Sequence, residues 1–191
     1  METVLELNQR KIADFVHDVI RTRDPDLAAH LVRLDEHAGR FARCIGIASE
    51  EANLIALAAG MHDVGKLGVD TRILHKPAKL TEAEFSIIRE HPAIGYRLVD
   101  PLELHHHITD SVLHHHENYD GSGYPHGLSG ASIPLAARIV RICDSYDAMT
   151  ADRPYHRGKS PAEALAILQQ DRHCYDPELL QAFLAMMRES V

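Results

Sequence analysis

His62-Asp63 is the first pair in this sequence that could do chemistry. It closes an apolar stretch just before Gly65, and an imidazole beside a carboxylate at such a place can reach one ion together. A carboxylate can also bridge two ions. His91 stands next to Pro92, and His115-His116 stand together before Glu117. Asp144 interrupts the apolar run AARIVRICDSYDAM, where an unpaired carboxylate is costly. Asp147 follows three residues on, on the same helical face. Histidine is abundant, 15 of 191 residues, and neutral imidazole is a common metal ligand near pH 7. Mixed imidazole and carboxylate sets suit Fe, Mn, Zn or Ni and disfavour Ca or Mg as the dedicated ion. Singly, each piece is weak, since a buried Asp is more often met by a helix cap or an Arg.

The elements that must position these residues read as helices. Apolar residues recur at helical intervals over 3–21 (Val4, Leu7, Ile12, Phe15, Val16, Val19, Ile20). A second helix starts after Asp24-Pro25, with Asp24 as cap and Pro25 in the first turn, and runs past His37. Residues 50–62 form a largely buried Ala/Leu helix that Gly65 and Gly68 break. Thr81 and Glu84 make a capping box opening a short helix to Glu90, and a further helix follows His91-Pro92. Residues 104–117 read as one helix, 120–134 as a Gly/Pro loop, and Leu135–Met149 as helix again. Two last helices start at Pro161 and Pro177. No alternating strand pattern is present, so the fold class is all-α, with residues 1–25 as an accessory helix and 26–191 as the main domain.

Composition excludes other classes. Net charge is −8 without a Lys/Arg cluster, which argues against a duplex nucleic-acid partner. No apolar run reaches the 18 or so residues that span a bilayer, and the charged N-terminus lacks a signal-peptide core, so a cytoplasmic protein with no membrane partner is expected. Cys44, Cys143 and Cys174 lack CxxC spacing and read as small buried hydrophobes rather than a disulfide framework or a thiolate zinc site.

Taken together, HDVGKLGVDTRILHKPAKLTEAEF (62–85), His91-Pro92, HHENYDGSGYPHGLSGASIPLAARI (115–139) and DSYDAMTADRPY (144–155) resemble the HD-GYP family of the HD phosphohydrolase superfamily. The resemblance covers nearly the whole chain. It implies an HD-domain helical bundle with a GYP loop, and a metal-dependent phosphodiesterase that opens cyclic di-GMP to pGpG, in some members on to GMP, through a metal-bridged hydroxide. It implies a metal set of His37, His62, Asp63, His91, His115, His116 and Asp144, with Asp63 bridging and His37 placed by its HxxR match with Arg40. The implied cofactors are two divalent ions per chain, Fe or Mn first, with Zn, Ni or Mg as alternatives. Some members carry a Glu four residues before the first His, which binds a third ion; counted from His37 that position is Arg33, which favours two. Asp63 and Lys66 are the implied catalytic residues, and Lys66, Tyr124, Arg153 and Arg157 the implied substrate contacts. The GYP loop comprises Asp120, Gly121, Gly123, Tyr124 and Pro125, and in the family it also contacts diguanylate cyclase (GGDEF-type) or sensor partners.

Two alternatives stand beside this reading. One is hydrolysis of another 3′,3′-cyclic dinucleotide; the other is a silent nucleotide- or partner-binding module, against which every matched position is intact. The other histidines read more plainly. His105, His106, His107 and His114 are expected as surface or supporting residues, His75, His126, His156 and His173 as loop residues, and His17 and His30 as ordinary helix residues.

Overall fold

A computed structural model describes residues 4–152 and 157–189, and no strand occurs among the described residues. Arg153 and His156 lie outside them. The helices are α1 (Val4–Arg23), α2 (Pro25–Cys44), α3 (Ser49–Met61), α4 (Thr71–Leu74), α5 (Glu82–Arg89), α6 (His91–Val99), α7 (His106–His114), α8 (Leu135–Thr150), α9 (Pro161–Gln170) and α10 (Pro177–Arg188). None is long and apolar enough to cross a membrane.

The expected start signals operate as local chemistry. Asp24 accepts from the Leu27 N–H at 3.0 Å, and Thr81 with Glu84, like Ser160 with Glu163, forms a reciprocal capping box. α3 is the central element. Ala52 and Leu54 through Met61 are all buried, because α1, α2, α7 and α8 surround it. α2 buries one stripe, Leu31, Leu34, Ala38, Phe41 and Ala42, at helical spacing. The main core joins Leu34, Ala38, Phe41 and Ala42 to Ile139 and Ile142 of α8 and Phe183 of α10, with Phe41 and Phe183 edge to face at 5.1 Å. α1 is part of the packing: Ala13 joins Leu57, Met61, Ile108 and Val112, and Ile20 joins Ala28 and Leu31.

Three local expectations change. The helix expected over 104–117 ends at His114, and His115 turns its side chain back onto the last helical carbonyls. Gly65 and Gly68 do not simply break the chain after α3; Val64–Gly68 is a 3₁₀ turn against α6. Of the cysteines only Cys143 is buried, whereas Cys44 is exposed and Cys174 half-buried.

Gly65 is needed where it stands. A Cβ there would lie 1.9 Å from the His91 carbonyl oxygen and 2.5 Å from the Gly95 N, both backbone atoms that cannot yield without moving α6. Absence of a side chain therefore lets the start of α6, with His91, come against the turn that follows Asp63.

Candidate metal centre

His62 and Asp63 follow the last residue of α3, His91 begins α6, His115 and His116 follow α7, and Asp144 lies on α8. His62, Asp63, His91 and His115 are each at most 2% exposed. Two clusters result: Asp63, His91, His115 and His116, and His30, His62 and Asp144.

Ring orientation is set by backbone. The Nδ1 of His62 lies 2.7 Å from the Ala59 carbonyl, that of His91 2.7 Å from the Ile88 carbonyl, and that of His115 2.9 Å from the Ser111 carbonyl. A carbonyl only accepts, so each Nδ1 carries a proton and Nε2 is the ring atom that can bind an ion. The Nε2 atoms of His91 and His115 are nevertheless 3.0 Å apart. Two lone pairs at that distance repel unless a cation shares them.

Asp63 connects the two clusters. Its Oδ1 lies 3.1 Å from His91 Nε2 and 3.7 Å from His115 Nε2, while its Oδ2 lies 3.3 Å from His62 Nε2 and 4.0 Å from His30 Nε2. Asp144 Oδ1 is 3.3 Å from His30 Nε2 and 3.9 Å from His62 Nε2. Donors sharing one ion with bonds of about 2.0–2.2 Å stand roughly 3–4 Å apart, which is the spacing seen. His62 Nε2 and Asp63 Oδ1 are buried without a hydrogen-bond partner, a state that is costly in the absence of an ion. The residues present therefore fit divalent metal.

Electrostatics agree. Burial holds His116 down to about 3 and His115 well below its usual value, so both rings are neutral donors. Burial alone would raise the Asp63 carboxyl, but Lys66 and His62 outweigh it and hold it well below the usual range. Burial also opposes charge on His30, yet the hydrogen bonds to Asp144 and Asp147 push it up to about 9. A histidine among these carboxylates marks a place that calls for a cation. Lys66 Nζ donates to Asp63 Oδ2, and its side chain is 26% exposed.

The GYP segment is fastened to this centre. Gly123 packs on the chain at His116–Asn118, where a Cβ would come within 2.3 Å of the Asn118 N. Gly123 thus lets the loop lie directly on the protein's own backbone. Asp120 accepts from the Ser122 N–H at 2.9 Å, and Gly121 has a positive φ of 83°. Tyr124, followed by Pro125, stacks on His116 with centroids 4.7 Å apart, and burial pushes its phenol pKa upward. Buried Glu117 accepts from the N–H groups of His126 (2.8 Å) and Leu128 (3.1 Å) and so holds the loop from beneath. Glu117→Ala leaves both donors unmet and is expected to cost about 2–3 kcal/mol. Urea unfolding checks the loss, and elemental analysis should find the metal content unchanged.

One expected ligand is displaced. His37 belongs to neither cluster; its ring faces Tyr146 at 6.2 Å. His30, expected as an ordinary helix residue, stands at the centre instead, seven residues or about 10 Å earlier along α2. The HxxR spacing occurs twice in α2, as His30–Arg33 and His37–Arg40, and it is the first that stands at the clusters. Counted from His30, the residue four positions earlier is the exposed Asp26 rather than Arg33, so the argument from Arg33 for two ions falls. Arg33 instead grips Asp147 through two hydrogen bonds of 2.8 and 2.9 Å, and Asp147 holds His30 Nδ1 at 2.7 Å. Arg89, which nothing in the motifs singled out, lies 5.0 Å over the Tyr124 ring. Arg157 is exposed in the segment leading into α9.

Comparison with known proteins agrees with this geometry. The chain is 39% identical over 183 residues to the cyclic di-GMP phosphodiesterase response regulator RpfG of Xanthomonas campestris, covering 94% of this chain and 48% of that protein. It is 35% identical over 165 residues to the 3′3′-cGAMP-specific phosphodiesterase 3 of Vibrio cholerae, covering 86% of this chain and 36% of that protein. The chain thus spans half or less of the length of these curated relatives. Among solved structures it resembles Bd1817, an HDG"Y"P protein from Bdellovibrio bacteriovorus, with a TM-score of 0.69 at 20% identity, over 86% of this chain and 53% of that one, a likeness of fold. The sequence profile of the HD domain matches residues 14–179, and with the His62-Asp63 pair shared between two ligand clusters the chain belongs to the HD-domain family.

Proposed function

We propose that this chain is the catalytic part of a phosphodiesterase that hydrolyses cyclic di-GMP to pGpG with two divalent ions, Fe or Mn. The observation that carries this reading is Asp63, whose two carboxylate oxygens face different ligand clusters. When bound, such a pair of ions supplies an activated water and polarises a phosphoryl oxygen. His91, His115 and His116 would hold one ion, and His30, His62 and Asp144 the other. Lys66, beside Asp63, sets a positive charge where negative charge accumulates on the phosphate. Tyr124, held by His116 and Arg89 beside the centre, is a further contact to the substrate. Arg153 and Arg157 are proposed as further contacts to the substrate. The leaving group is the ribose 3′ oxygen. Exposed residues of the loop, such as Asp120 and Pro125, are proposed to meet a GGDEF-type cyclase or sensor partner, and a cytoplasmic setting follows from the substrate.

A second reading, a different 3′,3′-cyclic dinucleotide as substrate, is favoured by the likeness to a cGAMP-specific relative. One experiment separates the two. Protein purified under low oxygen is analysed for metal, and cyclic di-GMP, 3′,3′-cGAMP and cyclic di-AMP are each assayed with products separated by chromatography. About two ions and pGpG support the first reading; three would bring in Asp26. Metal with turnover of cGAMP alone moves the assignment to the second. Neither metal nor turnover after reconstitution with Fe or Mn would sink both.

A further inference from the structure

The other end of α7 carries a second set of donors. His105, His106 and His107 place one ring nitrogen each within 4.8 Å of one another, with ring centroids 4.2–4.7 Å apart. A carboxylate from a different helix meets one of them: Glu51, in the first turn of α3, has Oε1 3.2 Å from His107 Nε2. α3 and α7 pack together, and both end at the metal centre, in His62-Asp63 and His115-His116. The His105–His107 group is thus a separate cluster, removed from the centre by the length of α7, about 13 Å. We propose that His105, His106, His107 and Glu51 form a second metal site, of the zinc class, that clamps the start of α7 to the start of α3.

The chemistry and the geometry both favour such an ion. Three imidazoles and one carboxylate make a closed four-donor set without an open position, the form taken by structural zinc, and imidazole disfavours Mg or Ca. A tetrahedral ion with bonds of about 2.0–2.1 Å requires donors about 3.3 Å apart, so the Glu51–His107 pair is already at the right separation, and the His105 and His106 rings, grouped with His107 within 4.8 Å, must turn to bring their nitrogens onto the same ion. His107 is 11% exposed on its side chain and Glu51 46%, so the pair is reachable from solvent. Burial lowers the pKa of His105 and of His107, which leaves both rings uncharged at neutral pH. His105 Nδ1 accepts from the His107 N–H at 3.2 Å as a helix cap, so His105 offers Nε2. Binding moves its ring proton to Nδ1 and exchanges that cap for a coordinate bond. The backbone N–H of His105 donates to Gln9 Oε1 of α1, so the same point also joins the first helix.

The protein stripped of metal and reloaded with Zn²⁺ at pH 7.5 tests this by elemental analysis after gel filtration, together with thermal unfolding. The His106→Ala/His107→Ala variant should hold one equivalent fewer than the parent and lose part of the zinc-dependent rise in Tm. Glu51→Gln, a change at an exposed carboxylate, should weaken that same equivalent at least tenfold. Asp63→Ala should keep it while losing the ions of the main centre, which separates this site from the proposed catalytic one. An equal zinc count in the parent and the double variant would overturn the site. So would binding insensitive to Glu51→Gln, because three adjacent histidines would then be chelating as a loose tag.

Discussion

Asp63→Ala is expected to remove both ions and to lower turnover of cyclic di-GMP by at least about 1,000-fold, the scale on which members of one catalytic unit fail together. The reason lies in its connections. Asp63 touches the His91/His115 pair through one oxygen and the His62/His30 pair through the other, so no other residue can keep one cluster in register with its neighbour. Its loss also leaves Lys66 without its carboxylate. Removing this buried carboxylate does not by itself unfold the chain, because the helices around it are held by two separate apolar clusters. Circular dichroism should therefore report a folded protein while elemental analysis reports little metal. An Asp63→Ala protein that kept its full metal content would contradict the bridging role.

His30→Ala and His37→Ala are expected to behave oppositely. The first removes a nitrogen that lies 3.3 Å from Asp144 and leaves Asp144 and Asp147 facing each other without the ring between them. Metal at the His62/Asp144 cluster should be lost and turnover should fall more than about 100-fold, beyond the range for residues that only support a ligand. The second removes a ring that packs on Tyr146 outside both clusters and should leave the metal content as it was. Its cost is one of packing, about 1 kcal/mol, visible in urea unfolding. Were His37→Ala to strip the metal and His30→Ala to retain it, the assignment of α2 to the centre would be reversed.

That contrast also shows where sequence reading reaches its limit. Caps, breaks and helical stripes are local, so Asp24, Thr81–Glu84, Ser160 and the apolar face of α2 announce their elements directly. His62, Asp63, His91, His115 and His116 were legible too, because helix ends and short motifs carry them. His30 was not. Two HxxR pairs sit seven residues apart on one face of α2, and which level meets Asp63 depends on how α2 slides along α3 and α8, a tertiary fact. The same holds for Arg89, brought over Tyr124 by the docking of α5 beside the loop. α7 ended earlier than its apolar period suggested, and the His115 ring meets the Val112 carbonyl that the next residue of a longer helix would have used.

The carbonyls that orient His62, His91 and His115 belong to the last turns of α3, α5 and α7, so three helices direct their C-terminal ends at one point. A helix C-terminus carries roughly half a negative charge. Lys66 on Asp63, Arg33 on Asp147 and His30 with its raised pKa offset the charge of the three carboxylates, so the three helix ends leave the excess of negative potential at the point where the Nε2 atoms meet, the reverse of the helix N-termini that usually receive phosphate. An excess of that sign favours a cation there over a phosphodiester. The ions are therefore expected to load before the dinucleotide, and cyclic di-GMP retained in equilibrium dialysis should rise with bound metal.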